Sequence, residues 1–405
     1  MASIGWIDFS PSHRDKVGAA LDLLTPEGMV DELGLGSLRD SMANQLFPGI
    51  STIQTRAKYF FIVPYILYEY QALMNNRQAR GRSASKYLEQ REYEVMWDLA
   101  DKYRYIKRSG VIGATKFRKQ KLVRRPSAIY WNGINLYKLL DSGGLSAEVF
   151  LRKASKGEFE SLLSQITNTE DPTDDADAEH ENVFRLKIFP PKNWPADVSL
   201  DLTQEEAAFL SDNIISKAKG KMIATLLTDQ KVWDVCDASE NFMGFAKAAY
   251  SFLTPQNQEE VVLAHDFSEL MCGAHITYNC LLQKRAFNNS ILEDDWQAWL
   301  QELPHNMIAY DQFDLEKLLS YSPRTRKSTI AFVRQWIDLV YNGGADLAAR
   351  NTLVEEQEFN VKRTKARIKY QKFDDVKQNV WVGFRHLEYR FRNVQTIIGD
   401  IEEAL

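Results

Sequence analysis

Apolar residues return every three or four positions along most of the chain, the period of a helix with one buried side. After Ser10-Pro11, a cap followed by proline, Val17, Ala20, Leu21 and Leu24 form one such series, which Thr25-Pro26 stops. "SLRDSMANQLF" forms a second. In "FPGISTIQTRAKYFFIVPYILYEY" (47–70) a Pro48-Gly49 turn precedes Ser51 and Gln54, spaced as a capping box. This predicts a helix starting near Ser51, with Ile53, Tyr59, Phe60 and Val63 inward and a kink near Pro64. Residues 86–106 read as a long helix with Tyr87, Leu88, Val95, Leu99 and Ile106 inward. Thr203 and Glu206 form another capping box ahead of Ala207, Leu210, Ile214 and Ile215. Residues 257–287 are one periodic segment. Phe384, Leu387, Phe391, Val394, Ile398 and Ile401 end the chain on an apolar stripe that is expected to close the fold rather than dock a partner helix.

Two stretches break the helical period. "NVFRLKIFPPKNWP" alternates Val183, Leu186 and Ile188, as a strand would. "AIYW" (128–131) reads as a second strand behind Gly110, Gly113 and a basic helix, an order that suggests a helix–turn–helix or winged module. The expected fold is mainly α, a multi-helix protein with a small winged-helix-like or short β element; α+β is the alternative. Between these elements, residues 167–181 hold seven acidic side chains and no Lys or Arg, so they should be a solvated linker. The expected division is an N-terminal helical domain at 1–165, the acidic segment at 166–182 and a C-terminal helical domain at 183–405.

Composition adds an ample core, 44% hydrophobic and 12% aromatic, which excludes disorder over the whole chain. The apolar run from Tyr59 to Tyr68 is about half the ~20 residues a membrane span needs and contains Pro64, so no membrane element is expected. The N-terminus lacks the pattern of a secretory signal, and Cys236, Cys272 and Cys280 are an odd count without a disulfide framework; together they point to the cytoplasm.

Charge is the strongest functional signal. From Lys102 to Arg125 there are ten basic side chains and no acidic one. Arg104, Lys107, Arg108, Lys116, Arg118, Lys119, Lys121, Arg124 and Arg125 are the candidate nucleic-acid contacts, with Tyr103, Tyr105, Phe117 and Tyr130 interleaved for stacking or packing. The bland alternative is a solvated face. A second run comprises Lys362, Arg363, Lys365, Arg367, Lys369 and Lys372. Ser51, Thr52, Arg56 and Lys58 form a weaker phosphate candidate at the expected helix start, against the alternative that Arg56 pairs with a carboxylate such as Asp8, Asp31, Glu32 or Asp40.

Catalytic motifs are sparse. "GLG" at 34–36 stands alone, and no GxxxxGK[ST] or GxSxG occurs, so no cofactor is implied. His265, Cys272, His275 and Cys280 fall within sixteen residues, but not at zinc-ribbon spacing; buried thiols and a hydrogen-bonded histidine on one helix are expected. Asp375-Val376-Lys377 behind Glu356 or Glu358 only loosely matches a nuclease spacing. The chain reads as non-catalytic, while an effector enzyme assembled from distant positions stays open.

"IGWIDFS", "DELGLGSLRDSMANQLFPGISTIQTRAKYFFIVPYI", "VIGATKF", "RRPSAIYWNGI", "GAHITYN" and "YRFRNVQTIIGDI" together resemble a family of bacterial proteins defined only as a domain of unknown function. "LFPGISTIQTRAKYFFIVP" is the most specific part, and the resemblance spans the chain. It carries no catalytic residues. It implies a place in phage-defence islands, beside helicase and phospholipase-D-like nuclease genes, and so a DNA-binding or scaffolding subunit. The alternative is an adaptor that recruits a nuclease or helicase through its C-terminal helices.

Overall fold

The computed structural model describes residues 31–75, 82–114, 121–122, 124–140, 142–155, 189–290, 292–344 and 346–405. Its α-helices are α1 (Gly36–Leu46), α2 (Tyr59–Asn75), α3 (Ala84–Lys102), α4 (Pro126–Leu136), α5 (Ala147–Ser155), α6 (Gln204–Lys217), α7 (Met222–Thr228), α8 (Gln230–Ala238), α9 (Phe242–Ala249), α10 (Pro255–Phe287), α11 (Leu292–Asn306), α12 (Leu315–Tyr321), α13 (Lys327–Tyr341), α14 (Leu347–Lys362), α15 (Arg367–Tyr370) and α16 (Phe391–Glu402). The fold is mainly α, and no strand occurs among the described residues.

Residues 128–131, expected as a strand, lie in α4, which Pro126 opens at its first turn. Ile129, Tyr130 and Trp131 are all buried there, so the apolar run reflects a helix wrapped by core. This removes the strand of the expected winged module. The 10–24 helix, the basic helix at 115–120, the alternating positions Val183 to Ile188 and the acidic segment lie outside the described residues.

The chain forms two compact units. One holds the described residues up to Met42 with Glu260–Tyr389; the other holds Ala43–Glu259 with Arg390–Leu405. The division therefore differs from the expected one: residues on both sides of the acidic segment belong to the same unit.

In the 43–259/390–405 unit, α2 packs on α3 and α4, and α16 packs on α6, α7 and α8. Phe391, Val394, Ile397, Ile398 and Ile401 are fully buried, so the C-terminal stripe closes this unit. Thr203 caps α6 as expected, its hydroxyl accepting from Glu206 N–H while Glu206 accepts from Thr203 N–H at 2.8 Å.

The other capping box forms only in part. Ser51 N–H donates to Gln54 Oε1 at 3.1 Å, but the helix starts eight residues later, at Tyr59. The intervening carbonyls are taken by distant side chains: Asn393 Nδ2 donates to Thr52 O and Gln54 O, and Tyr130 Oη donates to Arg56 O. The backbone of this stretch is thereby held in a non-helical path up to Lys58. Ile53, expected inside, is exposed.

In the other unit, α10 is a long helix with polar side chains inside. Asn279 accepts from Val382 N–H and donates to Val382 O; Gln283 accepts from Asn379 N–H and donates to Lys377 O; Ser268 Oγ accepts from Leu387 N–H. The non-helical stretch 377–389 is thus strapped to α10. Trp296, Trp299 and Trp336 cluster beside it, with the Arg350 guanidinium 4.1 Å from the Trp296 ring centre.

Two helical glycines sit where any side chain would collide. A Cβ on Gly133 would come within 2.6 Å of Gly49 O and the Phe60 ring; one on Gly273 would come within 2.3 Å of the Trp299 ring. Gly to Ala normally favours a helix by about 1 kcal/mol. Here both Gly133→Ala and Gly273→Ala are expected to destabilise, by about 1–3 kcal/mol each. Urea unfolding monitored by circular dichroism measures the sign, and an unchanged or raised midpoint would show the packing to be looser than described.

Candidate nucleic-acid interface

The long helix α3 ends at Lys102, where Tyr103 N–H closes its last turn on Leu99 O. The expected extension to Ile106 does not form, and Ile106 is exposed. Instead the chain turns through Arg108, with φ 58°, and Gly110, with φ 82°. Residues 104–108 are all exposed, and Tyr105 reaches 88%. The Arg104 guanidinium lies 5.5 Å from the Tyr105 ring centre. Arg104 and Lys107 form no ion pair with another described residue. The base of the loop is held by Tyr103 Oη, which accepts from Leu200 N–H at 3.0 Å, and by Lys102 Nζ on Val198 O.

The remaining candidates divide. Lys121 and Arg124 are exposed; Leu122 N–H donates to Tyr93 Oη, which sets this stretch beside the middle of α3. From there to the 103–108 loop is about ten residues of helix, roughly 15 Å. Arg125 is turned inward: its Nη1 lies 3.0 Å from Glu92 Oε2. Glu92 also accepts from Ser127 N–H and Oγ, and burial pushes its pKa up to about 7 against these lowering contacts. Lys116, Arg118 and Lys119 lie outside the described residues. Of the interleaved aromatics, Tyr130 is buried, with its hydroxyl on the backbone of Thr55 and Arg56.

Ser51, Thr52, Arg56 and Lys58 do not meet at a helix N-terminus. Lys58 is only 4% exposed, and its ammonium donates to both Glu206 oxygens, at 2.8 and 2.6 Å. Arg56 Nε lies 2.9 Å from both oxygens of Asp400, which also accepts from Ala57 N–H at 2.7 Å. Burial holds the Asp400 carboxyl above its usual range despite Arg56, whose guanidinium is half-buried and also lies 3.4 Å from the exposed Asp201. The weighed alternative, a carboxylate partner for Arg56, is what forms, but its source is α16 rather than the residues preceding it. Both cations are compensated inside the protein.

The second basic run is compensated in part, at Lys362 and Arg367, while Arg363, Lys365, Lys369 and Lys372 are exposed. Glu32, itself buried, binds Lys362 at 3.3 Å and Arg367 at 2.7 Å; Arg367 also meets Asp375, and the Lys369 ammonium stands 3.6 Å from the Phe359 ring centre. Glu358 accepts from the N–H groups of Arg367 and Ile368, so it and Asp375 serve this turn rather than a nuclease site. The "GLG" stretch is likewise a turn, with Asp31 accepting from Leu35 N–H and Gly36 N–H. Cys272, His275 and Cys280 are buried on α10, and His275 Nδ1 lies 3.2 Å from Arg385 O. No cluster of metal-binding side chains occurs among the described residues. No described helix is long and apolar enough to cross a membrane.

Fold and site together define a mainly α-helical protein with an exposed loop of cations around an aromatic ring. The chain belongs to the Family of unknown function (DUF6361), whose model matches residues 1–404. No curated protein and no solved structure matches it.

Lys58→Met leaves the Glu206 carboxylate buried without its cation. Breaking such a pair typically costs about 3–5 kcal/mol. Thermal unfolding should therefore show a large loss of stability, whereas a drop in phosphate or nucleic-acid affinity without a stability change would return Lys58 to the ligand-binding set.

Proposed function

We propose that this protein is a non-catalytic subunit that binds single-stranded nucleic acid through the loop at 103–108. The observation that carries the reading is Tyr105, a ring almost wholly in water among the exposed cations Arg104, Lys107 and Arg108. Tyr105 is the most exposed large hydrophobic side chain among the described residues, which leaves its ring open to a stacking partner. A base stacked on it would gain about 1–3 kcal/mol, and the neighbouring cations would hold phosphates on either side. Ile106, 57% exposed, widens the apolar surface. Such a platform is sequence-tolerant, because stacking and phosphate contacts do not identify bases. Lys121 and Arg124 extend the positive surface along α3.

The resemblance to bacterial families found beside helicase and phospholipase-D-like nuclease genes supports a setting in defence against phage DNA, in which a strand opened by one protein is held for another. An adaptor role through the last helix is less well supported, since the apolar stripe of α16 is buried in its own unit.

Fluorescence anisotropy with a labelled single-stranded oligonucleotide tests the proposal. Tyr105→Ala should weaken binding by about 5- to 100-fold, and Arg104→Glu with Lys107→Glu should reduce the salt slope by about 1.4, roughly 0.7 per lost phosphate contact. Unfolding midpoints should stay unchanged, as these side chains are exposed. Salt-insensitive binding, or affinity indifferent to all three changes, would overturn the assignment.

A further inference from the structure

The chain leaves α14 through a turn at 363–372 that holds Arg363, Lys365, Arg367, Lys369 and Lys372 and no acidic residue. Arg367 is turned inward onto Glu32 and Asp375, and its N–H, with that of Ile368, donates to the buried Glu358. Ala366 and Ile368 are buried beside it, which anchors the turn. The other four cations are exposed and form no ion pair with another described residue.

Aromatic rings hold three of them. The Lys369 ammonium lies 3.6 Å and the Arg363 guanidinium 5.7 Å from the centre of the Phe359 ring, and the Lys372 ammonium lies 5.7 Å from that of Tyr370. The two ring centres are 6.2 Å apart. A carboxylate would cancel the charge of such a group, whereas a ring attracts the cation and leaves its charge in place. Lys372 is fixed further by donating from its ammonium to Thr364 O. Tyr370 is 47% exposed, so part of its ring stays open to water. Arg363 adopts φ 52° and ψ −121°, a backbone natural to glycine and strained for arginine, so folding of the turn does not call for a guanidinium there. Glu356 on α14 and Asp374 beyond the turn are exposed carboxylates that oppose the cations, and neither pairs with them.

We propose that the turn at 363–372 is a second nucleic-acid contact, in which Arg363, Lys365, Lys369 and Lys372 bind phosphates of a single strand and Tyr370 meets a base beside them. Uncancelled cations grouped around an open aromatic ring are the combination that strand-binding surfaces use. An acidic peptide would satisfy the charges but leave the ring without a stacking partner. The contact reads backbone and not sequence. These residues belong to the 260–389 unit and the loop at 103–108 to the other, so the assignment does not rest on that loop.

The test uses the full chain carrying Tyr105→Ala, Arg104→Glu and Lys107→Glu, so that binding by the loop is removed, and a labelled single-stranded oligonucleotide followed by fluorescence anisotropy. Adding Arg363→Gly with Lys365→Gln should reduce the salt slope by about 1.4, roughly 0.7 per lost phosphate contact, which corresponds to about 25-fold in affinity at 0.1 M salt. The unfolding midpoint should be unchanged or raised, because both side chains are exposed and glycine suits the backbone at 363. Poly-glutamate should compete at least about tenfold less well than an unlabelled oligonucleotide of equal charge. In the unsubstituted protein the oligonucleotide should protect Lys365, Lys369 and Lys372 from acetylation, read by peptide mass spectrometry, while protection of Lys107 reports on the loop separately. An unchanged affinity and slope, equal competition by poly-glutamate, or acetylation of these three lysines indifferent to the oligonucleotide overturns the proposal.

Discussion

Irregular backbone inside a helical protein has no neighbouring strand to satisfy its N–H and C=O groups, and each one left unpaired would cost about as much as a lost hydrogen bond. The stretch from Phe47 to Lys58 meets this constraint with side chains from far along the chain. Asp400 accepts from Ala57 N–H, Asn393 donates to two carbonyls, Tyr130 serves both N–H and C=O groups, and Tyr137 donates to Pro48 O. Arg56 and Lys58 then neutralise the carboxylates that this arrangement and the α6 cap bring into the interior. Four helices of one unit are attached to a dozen residues that are themselves not helical, and the polarity of "PGISTIQTRAK" follows from that.

The strap at 377–389 obeys the same constraint with the roles reversed. There the helix supplies the side chains and the irregular segment supplies the backbone. Asn279 and Gln283 are amides, each able to donate and accept, so one residue satisfies an N–H and a C=O of the strap at once. An apolar residue at either position would continue the core but leave two backbone groups dry. This explains a buried helix with almost no amphipathic contrast: its inward polar residues are partners for a specific segment. It also places His386 Nε2 3.2 Å from Glu269 Oε2.

Periodicity and caps were legible where a helix is decided locally. The Thr203 and Glu206 box and the 257–287 segment read directly, because each rests on neighbours three or four residues apart; of the stripe expected from Phe384 to Ile401 only the part from Phe391 is one helix, Phe384 and Leu387 lying on the non-helical strap of the other unit. Ser51 and Gln54 show the limit. The spacing of a capping box is present and half its hydrogen bonding forms, yet Asn393 and Tyr130 hold the backbone that follows in a non-helical path, and those residues lie beyond any local window. "AIYW" failed for a related reason: a short apolar run is compatible with a strand or with a helix buried all round, and only the surrounding core distinguishes them. The contact of His386 with Glu269 was invisible, since the two are more than a hundred residues apart.

The two basic runs show why charge is harder to read than periodicity. Both are dense, and both are interleaved with aromatic or apolar side chains. In the run at 362–372 folding brings up Glu32, some three hundred residues earlier, together with Asp375 and the Phe359 ring, and Lys362, Arg367 and Lys369 become part of the tertiary structure, while Lys365 stays exposed. In the loop at 104–108 no described carboxylate pairs with Arg104 or Lys107, and Tyr105 is left in water beside them. A cluster of like charges is costly to bring together unless something of opposite sign approaches it. For Lys362 and Arg367 that partner is Glu32, whereas for Arg104 and Lys107 no carboxylate among the described residues supplies it.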